Sequence, residues 1–401
     1  MSDSYLDCAG IICSLGNHKS QVANGLFNIS NAFPERSDND SSADVAPLFR
    51  VHAELPEIPS TCSRYRTRTN QLLLAALQQI RAEIDQAISS FGRSRIAVMI
   101  GTSTSGIAEG EVAISYHRQH DILPASFVYK QQEIAATAEF IARLLGLKGP
   151  AYAISTSCSS SSAAICSARR LLRHGLCDAV IVGGADALCE TTIQGFRSLG
   201  AISKQACNPF SRNRDGIAIG EGAALFLMTR NSIISHLSTP IQLLGAGISS
   251  DAYHISAPDP AGNGARQAMQ QALNAAGIDA AEIDYINLHG TGTPQNDSME
   301  SGAVHALFGS QTACSSTKPL TGHCLGASGA IELALCWLLL SDFNRNKRLP
   351  IHLWDQQTDP QLPKLNLVCQ NQQSSNPPAI VMSNTYSFGG NNVSLILGAK
   401  Q

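Results

Sequence analysis

Short apolar runs alternate along the chain with longer stretches whose apolar residues recur every three or four positions, the pattern of strands alternating with amphipathic helices. Continuous runs rich in Val, Ile, Leu and Ala predict strands at Ile96–Ile100, Ala151–Ile154, Ala179–Val182, Ala223–Met228, Ile241–Leu244, Tyr285–Leu288, Ile380–Met382 and Val393–Leu397. Helical spacing predicts helices at Thr69–Phe91, Gln132–Leu145, Ser160–His174, Ala265–Ala276, Ser298–Phe308 and Ser328–Ser341. Strands that are apolar throughout suit sheets covered on both faces, so the fold class is layered α/β. Two stretches interrupt the pattern. Asn31–Ser60 is polar, acidic and proline-containing, as a surface excursion would be, and Thr229–Thr239 separates one strand–helix series from a second. Across that break, Ser159-Ser-Ser-Ser-Ala-Ala-Ile-Cys echoes Leu325-Gly-Ala-Ser-Gly-Ala-Ile-Glu. Both are small-residue helix starts followed by apolar turns, a hint of internal duplication.

Composition narrows the picture. A chain of 401 residues holds two to three ordinary domains or one large duplicated fold. Only 15% of residues are charged, against about 25% in an average soluble chain, which points to extensive buried surface in a thick core or a subunit interface. The 28 basic and 31 acidic residues leave a net charge of −3, with no electrostatic footprint for nucleic acid. No apolar run approaches the ~20 residues of a membrane span; the longest, Ile331–Leu340, is interrupted by Glu332. Met1-Ser-Asp-Ser-Tyr carries no basic region followed by an apolar stretch, so no secretory signal is expected. The 12 cysteines include no pair at zinc spacing. They are expected to be small buried hydrophobes in a reducing cytoplasm, with no metal site.

Four segments carry candidate chemistry. In Ala151-Tyr-Ala-Ile-Ser-Thr-Ser-Cys158, an apolar strand runs through Ser and Thr into a cysteine, and a small-residue helix begins directly after it. This is the strand–turn–helix layout of a nucleophile elbow. The positive end of the helix dipole there favours thiolate, although a cysteine in such a place is also compatible with an inert buried thiol. In Asn287-Leu-His289-Gly-Thr-Gly-Thr-Pro, a strand ends at His289 and a loop precedes the next helix. Strand ends above an α/β sheet are where ligands bind; the plain alternative is a histidine bonded to its own loop. In Lys318-Pro-Leu-Thr-Gly-His323, a lysine and a histidine precede another helix start, and Glu332 inside that helix needs a partner if buried, for which Lys318 is available. Last, Asn384-Thr-Tyr-Ser-Phe388-Gly389-Gly is either a mobile loop offering backbone N–H groups to an anion or a simple turn between strands.

All four segments, in this order, resemble the β-ketoacyl-carrier-protein synthases, the decarboxylating condensing enzymes of the thiolase fold. The likeness runs from Ser14-Leu-Gly to the terminal strand and includes Gly183-Gly-Ala-Asp-Ala, Asn208-Pro-Phe-Ser-Arg-Asn-Arg-Asp-Gly and Ser249-Ser-Asp-Ala-Tyr-His-Ile. In detail the chain looks like the ketosynthase subunits of bacterial aryl-polyene pathways. The resemblance implies a five-layered α/β/α/β/α fold in two pseudo-repeated halves. Residues 1–235 would carry the nucleophile and the dimer contact, and residues 236–401 the two histidines and a gating loop. It further implies that Cys158 takes an acyl group as a thioester and that His289 and His323 assist decarboxylation of a malonyl thioester. Lys318 and Glu332 would order the site, and Phe388 and Gly389 would supply an oxyanion contact and a gate. Thr291 and Thr293 would contact the substrate. No cofactor is implied beyond the phosphopantetheine of an acyl carrier protein. The implied partners are that carrier protein and a second subunit, either an identical chain or a paralogue resembling a chain-length factor.

Carrier proteins are acidic, which requires a local basic patch. Arg64, Arg66 and Arg68 form one candidate and Arg212 and Arg214 another, unless these arginines serve internal ion pairs. Three departures from the family pattern stand out. Four serines follow Cys158 and are expected to alter the floor of the acyl pocket; Tyr386-Ser replaces the more usual Phe-Gly before Phe388; and Ala108–Lys130, with Glu109, Glu111, His117 and His120, is unusually polar. Related folds with other chemistry fit less well. A thiolase needs a second cysteine where this chain has Phe388-Gly-Gly, and an initiation-type condensing enzyme has Asn in the place of His323. A non-catalytic chain-length factor usually lacks the nucleophile. Gly245-Ala-Gly247 lacks the third glycine and the acidic residue of a dinucleotide fingerprint.

Overall fold

The computed structural model describes residues 4–29, 48–233, 239–369 and 378–399. Strands β1 (Tyr5–Ile12), β2 (Ile96–Gly101), β3 (Ala151–Ile154), β4 (Ala179–Asp186) and β5 (Gly222–Thr229) lie side by side in the order β3-β2-β4-β5-β1. The second series comprises β6 (Ile241–Ser250), β7 (Tyr285–Asn287), β8 (Ala313–Ser315), β9 (Asn366–Leu367), β10 (Ile380–Tyr386) and β11 (Asn391–Ala399). Its order, β8-β7-β10-β11-β6, repeats the first, and β9 adds one edge strand beside β8. The strand directions repeat as well. β2 is parallel to β3 and β4, and β5 is antiparallel to β4 and β1; β7 is parallel to β8 and β10, and β11 is antiparallel to β10 and β6. The two sheets join where Tyr5 pairs with Gln242 and the Leu243 N–H donates to the Ser4 carbonyl at 2.8 Å. The chain is thus one duplicated fold, as the echo between its two helix starts suggests.

The helices are α1 (Lys19–Phe27), α2 (Arg68–Gln78), α3 (Arg81–Phe91), α4 (Ile107–His120), α5 (Ala136–Leu145), α6 (Ser160–Arg173), α7 (Glu190–Ser198), α8 (Asn263–Ala276), α9 (Pro294–Phe308), α10 (Lys318–Thr321) and α11 (Ser328–Leu340). α6 and α11 pack against each other between the two sheets and touch strands of both. α11 is apolar on every face, as a helix in such a slot must be, and is buried from Ser328 to Leu339. α2, α3 and α5 cover the outer side of the first sheet, and α8 and α9 that of the second. The result is a five-layered α/β/α/β/α thiolase-like fold. Small residues bring the central layer close: a side chain at Gly101 would run into the backbone of Ser161, and one at Gly329 into the Ser162 hydroxyl. None of the described helices is long and apolar enough to cross a membrane.

Several elements differ from the sequence expectation. The helix expected over Thr69–Phe91 is two helices, broken at Ile80 (φ −123°, ψ 20°). Beside the break, the Gln79 amide turns back to donate to the Ile11 carbonyl at 2.8 Å. α4 has no apolar stripe, because it buries only Gly110 and Ala113. Its polar residues serve neighbouring helix starts instead. Glu109 accepts from the Arg68 N–H at 2.7 Å, and Glu111 accepts from the N–H groups of Glu190 and Thr191 at 3.0 and 2.5 Å. A carboxylate there satisfies orphan donors and meets the positive end of a helix dipole.

Residues 31–47 of the expected surface excursion, and 234–238 of the break, lie outside the described residues. The remainder of the excursion is partly internal: Phe49 donates to the Ile219 carbonyl at 2.9 Å, and Val51 is buried with its N–H on Glu221.

Candidate active site

The turn that carries Cys158 is built by backbone constraint. β3 ends at Ile154, α6 starts at Ser160, and Cys158 lies between them. Ser157 adopts φ +53°, a left-handed conformation that costs a non-glycine residue about 1 kcal/mol, and the next side chain, Cys158, lines the cavity. The four serines do not lie along the cavity. All are buried, and three of the hydroxyls reach distant segments: Ser161 accepts from the Ala330 N–H at 2.9 Å, Ser162 meets the Thr385 hydroxyl at 3.0 Å, and Ser159 meets Ser387 at 3.1 Å. The Ser160 hydroxyl lies 2.9 Å from the Thr156 N–H.

His289 sits just beyond β7. Its loop is held by two buried carboxylates that the pattern reading did not single out for this task. Glu300 accepts from the N–H groups of His289 and Gly290, both at 2.7 Å. Asp297 takes the Thr291 N–H at 3.1 Å and the Phe210 N–H at 2.8 Å. The signal available in the sequence was their spacing: three and six residues beyond Pro294, on the inner side of α9. Burial pushes the Glu300 carboxyl up to about 8 against the pull of these donors. His323 precedes α11. Leu325, at φ +49°, aims its N–H at His323 Nδ1 at 3.0 Å, and the Ser328 hydroxyl lies 3.2 Å from the same nitrogen.

Lys318 and Glu332 form a buried ion pair, as the sequence suggests. The Lys318 ammonium also donates to the His289 carbonyl and lies 3.3 Å from His289 Nδ1. Because an ammonium can only donate, His289 Nδ1 is an acceptor. His323 Nδ1 receives an N–H in the same way. Both imidazoles therefore carry their proton on Nε2, and those two N–H groups are free to face the thiol. Cys158, His289 and His323 bring ligand atoms within 4.8 Å of one another. A soft metal would fit that spacing, but metal-bound histidines donate their other nitrogen to an acceptor. Here that nitrogen receives, so the donor set does not suit a metal.

Burial dominates the electrostatics. It holds the His323 imidazole down at about 3, with Lys318 adding to the effect, and keeps His289 well below its usual range. Both rings are neutral donors. The Cys158 thiol is pushed up to about 11 by burial, while Lys318 and the backbone N–H groups of Phe388 and of Cys158 itself pull the other way. The helix start does not make a resting thiolate, because desolvation outweighs the dipole at a buried position.

A cavity of about 430 Å³ opens over these groups. Its walls include Cys158, His289, His323, Thr291, Thr293, Tyr386, Phe196 and Phe388. The rings of Phe196 and Phe388 stand 5.6 Å apart. The amide of Phe388, not that of Gly389, is turned to the thiol: Gly389 (φ +83°) donates to the Ile255 carbonyl at 2.8 Å. Thr291 and Thr293 share a hydroxyl contact of 2.9 Å. The arginines separate into two groups. Arg68 is bound to buried Glu221 and Arg214 to Asp359, so both are spent internally. Arg64 and Arg66 border a second hollow of about 490 Å³, and Arg64, Arg66 and Arg212 are exposed.

Residues 23–232 match the β-ketoacyl synthase N-terminal domain and residues 241–345 the β-ketoacyl synthase C-terminal domain. The chain belongs to the β-ketoacyl synthase family. A 3-oxoacyl-[acyl-carrier-protein] synthase 2 of Rhizobium meliloti is 36% identical over 63% of this chain, a match spanning 61% of that relative. A synthase of the same description from Staphylococcus aureus is 33% identical over 83% of this chain and 84% of its own. Among solved structures, the Xenorhabdus doucetiae ketosynthase ApeO, determined in complex with its chain length factor ApeC, is 46% identical over 100% of this chain and 98% of its own, with a TM-score of 0.90.

Proposed function

We propose that the chain is an elongating β-ketoacyl-[acyl-carrier-protein] synthase, and the meeting of Cys158, His289 and His323 in one buried cavity carries this reading. The Cys158 sulfur attacks an acyl thioester presented on a carrier protein. The bond from the acyl carbon to Cys158 forms, the bond to the pantetheine sulfur breaks, and the thiol proton ends on the departing pantetheine. A malonyl thioester then enters. Its carboxylate leaves as carbon dioxide, and the enolate oxygen left behind is held by the Nε2–H groups of His289 and His323. Neutral imidazoles suit this role because each must donate, and burial keeps them neutral. The enolate carbon attacks the acyl-cysteine, whose oxyanion rests on the backbone N–H groups of Cys158 and Phe388. Collapse expels the Cys158 thiolate, which solvent reprotonates.

In this proposal Lys318 and Glu332 position His289, and Phe388 and Gly389 gate the cavity. Thr291 and Thr293 line the pantetheine arm. The division into halves, residues 1–235 with the nucleophile and 236–401 with the histidines, belongs to the same reading, as does a cytoplasmic location. Substrates arrive on a phosphopantetheinylated carrier protein, and Arg64, Arg66 and Arg212 remain available to dock it. The second subunit is an identical chain or a chain-length-factor-like paralogue. The 46% identity to ApeO over the whole chain, and that protein's complex with a chain length factor, support the paralogue and an aryl-polyene pathway.

Intact-mass measurement tests the nucleophile: wild type gains one acyl group from an acyl-carrier protein and Cys158→Ala gains none. An adduct that survives Cys158→Ala would refute the assignment. His289→Ala and His323→Ala are expected to keep acylation and lose malonyl decarboxylation.

A further inference from the structure

The hydroxyl of Ser387 reaches away from the strand it follows, across the boundary between the two halves of the fold. It lies 3.1 Å from the hydroxyl of Ser159, the residue directly after Cys158, and 3.0 Å from the Asn391 carbonyl. Ser159 is fully buried and belongs to a small hydroxyl cluster: its oxygen is 2.9 Å from the Thr156 carbonyl and 3.0 Å from the Thr156 hydroxyl. Counting protons orients these contacts. A hydroxyl has one hydrogen to give. The Thr156 carbonyl has no hydrogen, so the Ser159 proton goes to it, and the Ser159 oxygen is left as an acceptor with two lone pairs. The Asn391 carbonyl likewise has no hydrogen and accepts from both the N–H and the hydroxyl of Ser387, each at 3.0 Å. The Ser387 proton is therefore shared between that carbonyl and the Ser159 oxygen, and the Thr156 hydroxyl fills the second Ser159 lone pair.

The segment held by this contact is a tight turn with two left-handed glycines. Gly389 has φ +83° and Gly390 φ +74°, and the Gly390 N–H returns to the Ser387 carbonyl at 2.9 Å. Phe388 stands between the latched residue and these glycines, so a swing of its ring out of the cavity pivots on the glycines and pulls on Ser387. When the contact breaks, Ser159 keeps its bonds to Thr156 and is not left orphaned, so opening is inexpensive. We propose that Ser387 is a positioning residue, a hydroxyl latch that ties the Phe388 loop to the nucleophile turn and slows access of bulky acyl donors to Cys158. This rests on the reading of Cys158 as the acylated residue and Phe388 as the gate.

The test compares alkylation of Cys158 by iodoacetamide, which is small, and by a bulky N-aryl maleimide, followed by intact mass and peptide mapping across a pH series. Ser387→Ala is expected to raise the maleimide rate about three- to tenfold, the factor that one ordinary hydrogen bond is worth, and to leave the iodoacetamide rate and its pH profile unchanged. Ser387→Thr keeps the hydroxyl and should behave as wild type. Ser159→Ala should also raise the maleimide rate, and the double variant should fall short of the product of the two single effects, since both remove the shared contact. Equal acceleration of both reagents, no acceleration of either, or a Ser387→Thr variant that resembles Ser387→Ala would each overturn the latch. If mapping instead places acyl groups or label on a residue other than Cys158, the reading of the nucleophile is what falls.

Discussion

The two halves of the molecule share one strand order and one set of strand directions, yet they fill corresponding places with different chemistry. α6 and α11 occupy matching positions between the sheets, and each is preceded by a candidate site side chain within two residues of a non-glycine residue at positive φ. In the first half these are Cys158 and Ser157, in the second His323 and Leu325. The loops after β2 and β7 also correspond, and a buried carboxylate pins each. Asp186 gathers the Thr102 and Thr104 hydroxyls with the N–H groups of Ser103 and Thr104, at distances from 2.6 to 3.1 Å. Glu300 gathers the amides of His289 and Gly290. Duplication supplied two similar frames facing one cavity. A cysteine in one and imidazole N–H donors in the other then required only a change of side chain.

The halves should respond differently to acid, and this is the largest effect expected. The buried histidines among the described residues, His289, His323 and His352, all lie in the second half. Burial lowers each of them, His323 to about 3 and His352 to about 4. A base lowered in the folded state binds its proton first in the unfolded chain. Stability is therefore full above the unfolded value near 6.5 and declines as pH falls toward the folded value. At pH 5 the loss is about 2 kcal/mol for each such histidine. It is opposed by Glu300 and Glu332 of the same half, whose carboxyls burial holds at about 8 and about 7, so that the folded chain takes up their protons first as pH falls. Hydrogen exchange between pH 7 and pH 5 should show β7, β8 and α11 changing protection more than β2 and β4; a uniform change across both sheets would break the comparison.

Next in size is the buried pair on the second half's side of the cavity. Lys318→Met strands the Glu332 charge and should cost about 3–5 kcal/mol, whereas Lys318→Met with Glu332→Leu should recover most of it. Denaturant unfolding of the two variants measures the difference, and equal losses would mean that the pair is not electrostatically coupled. The smallest effect separates structure from chemistry. Asp186→Asn and Glu300→Gln should each cost about 1–3 kcal/mol, because a carboxylate oxygen facing amides becomes a donor. Only Glu300→Gln should also slow malonyl decarboxylation, since only its loop carries a histidine proposed to hold the enolate.

Legibility in the sequence followed the range of the forces involved. Eight strands and the central helices were visible because buried elements must be apolar throughout; β1, which carries Asp7 and Gly10, and β8 and β9, of three and two residues, were not. α4 and α7 were not, since their burial is slight and their polar residues answer partners far along the chain: Glu111 caps α7 from 79 residues away. The Lys318–Glu332 pair was visible as a charge inside an apolar helix with one lysine at hand. The arginines were not separable, because Arg68 finds Glu221 and Arg214 finds Asp359 only in the folded chain.

By itself, the order of apolar runs and small-residue turns determined the α/β class and hinted at the duplicated frame, and the resemblance carried by four short motifs singled out the cysteine and the two histidines, because all of these depend on local spacing and residue type. Only the tertiary structure decided their state. Which imidazole nitrogen carries the proton depends on Lys318 and Leu325, and the protonated thiol depends on burial deep between two sheets. Three of the four serines, Ser159, Ser161 and Ser162, became ties to distant parts of the chain because α6 and the turn before it pack against them. Desolvation and hydrogen-bond partnership arise when distant segments meet, so a sequence pattern names the groups and leaves their charge and direction to the fold.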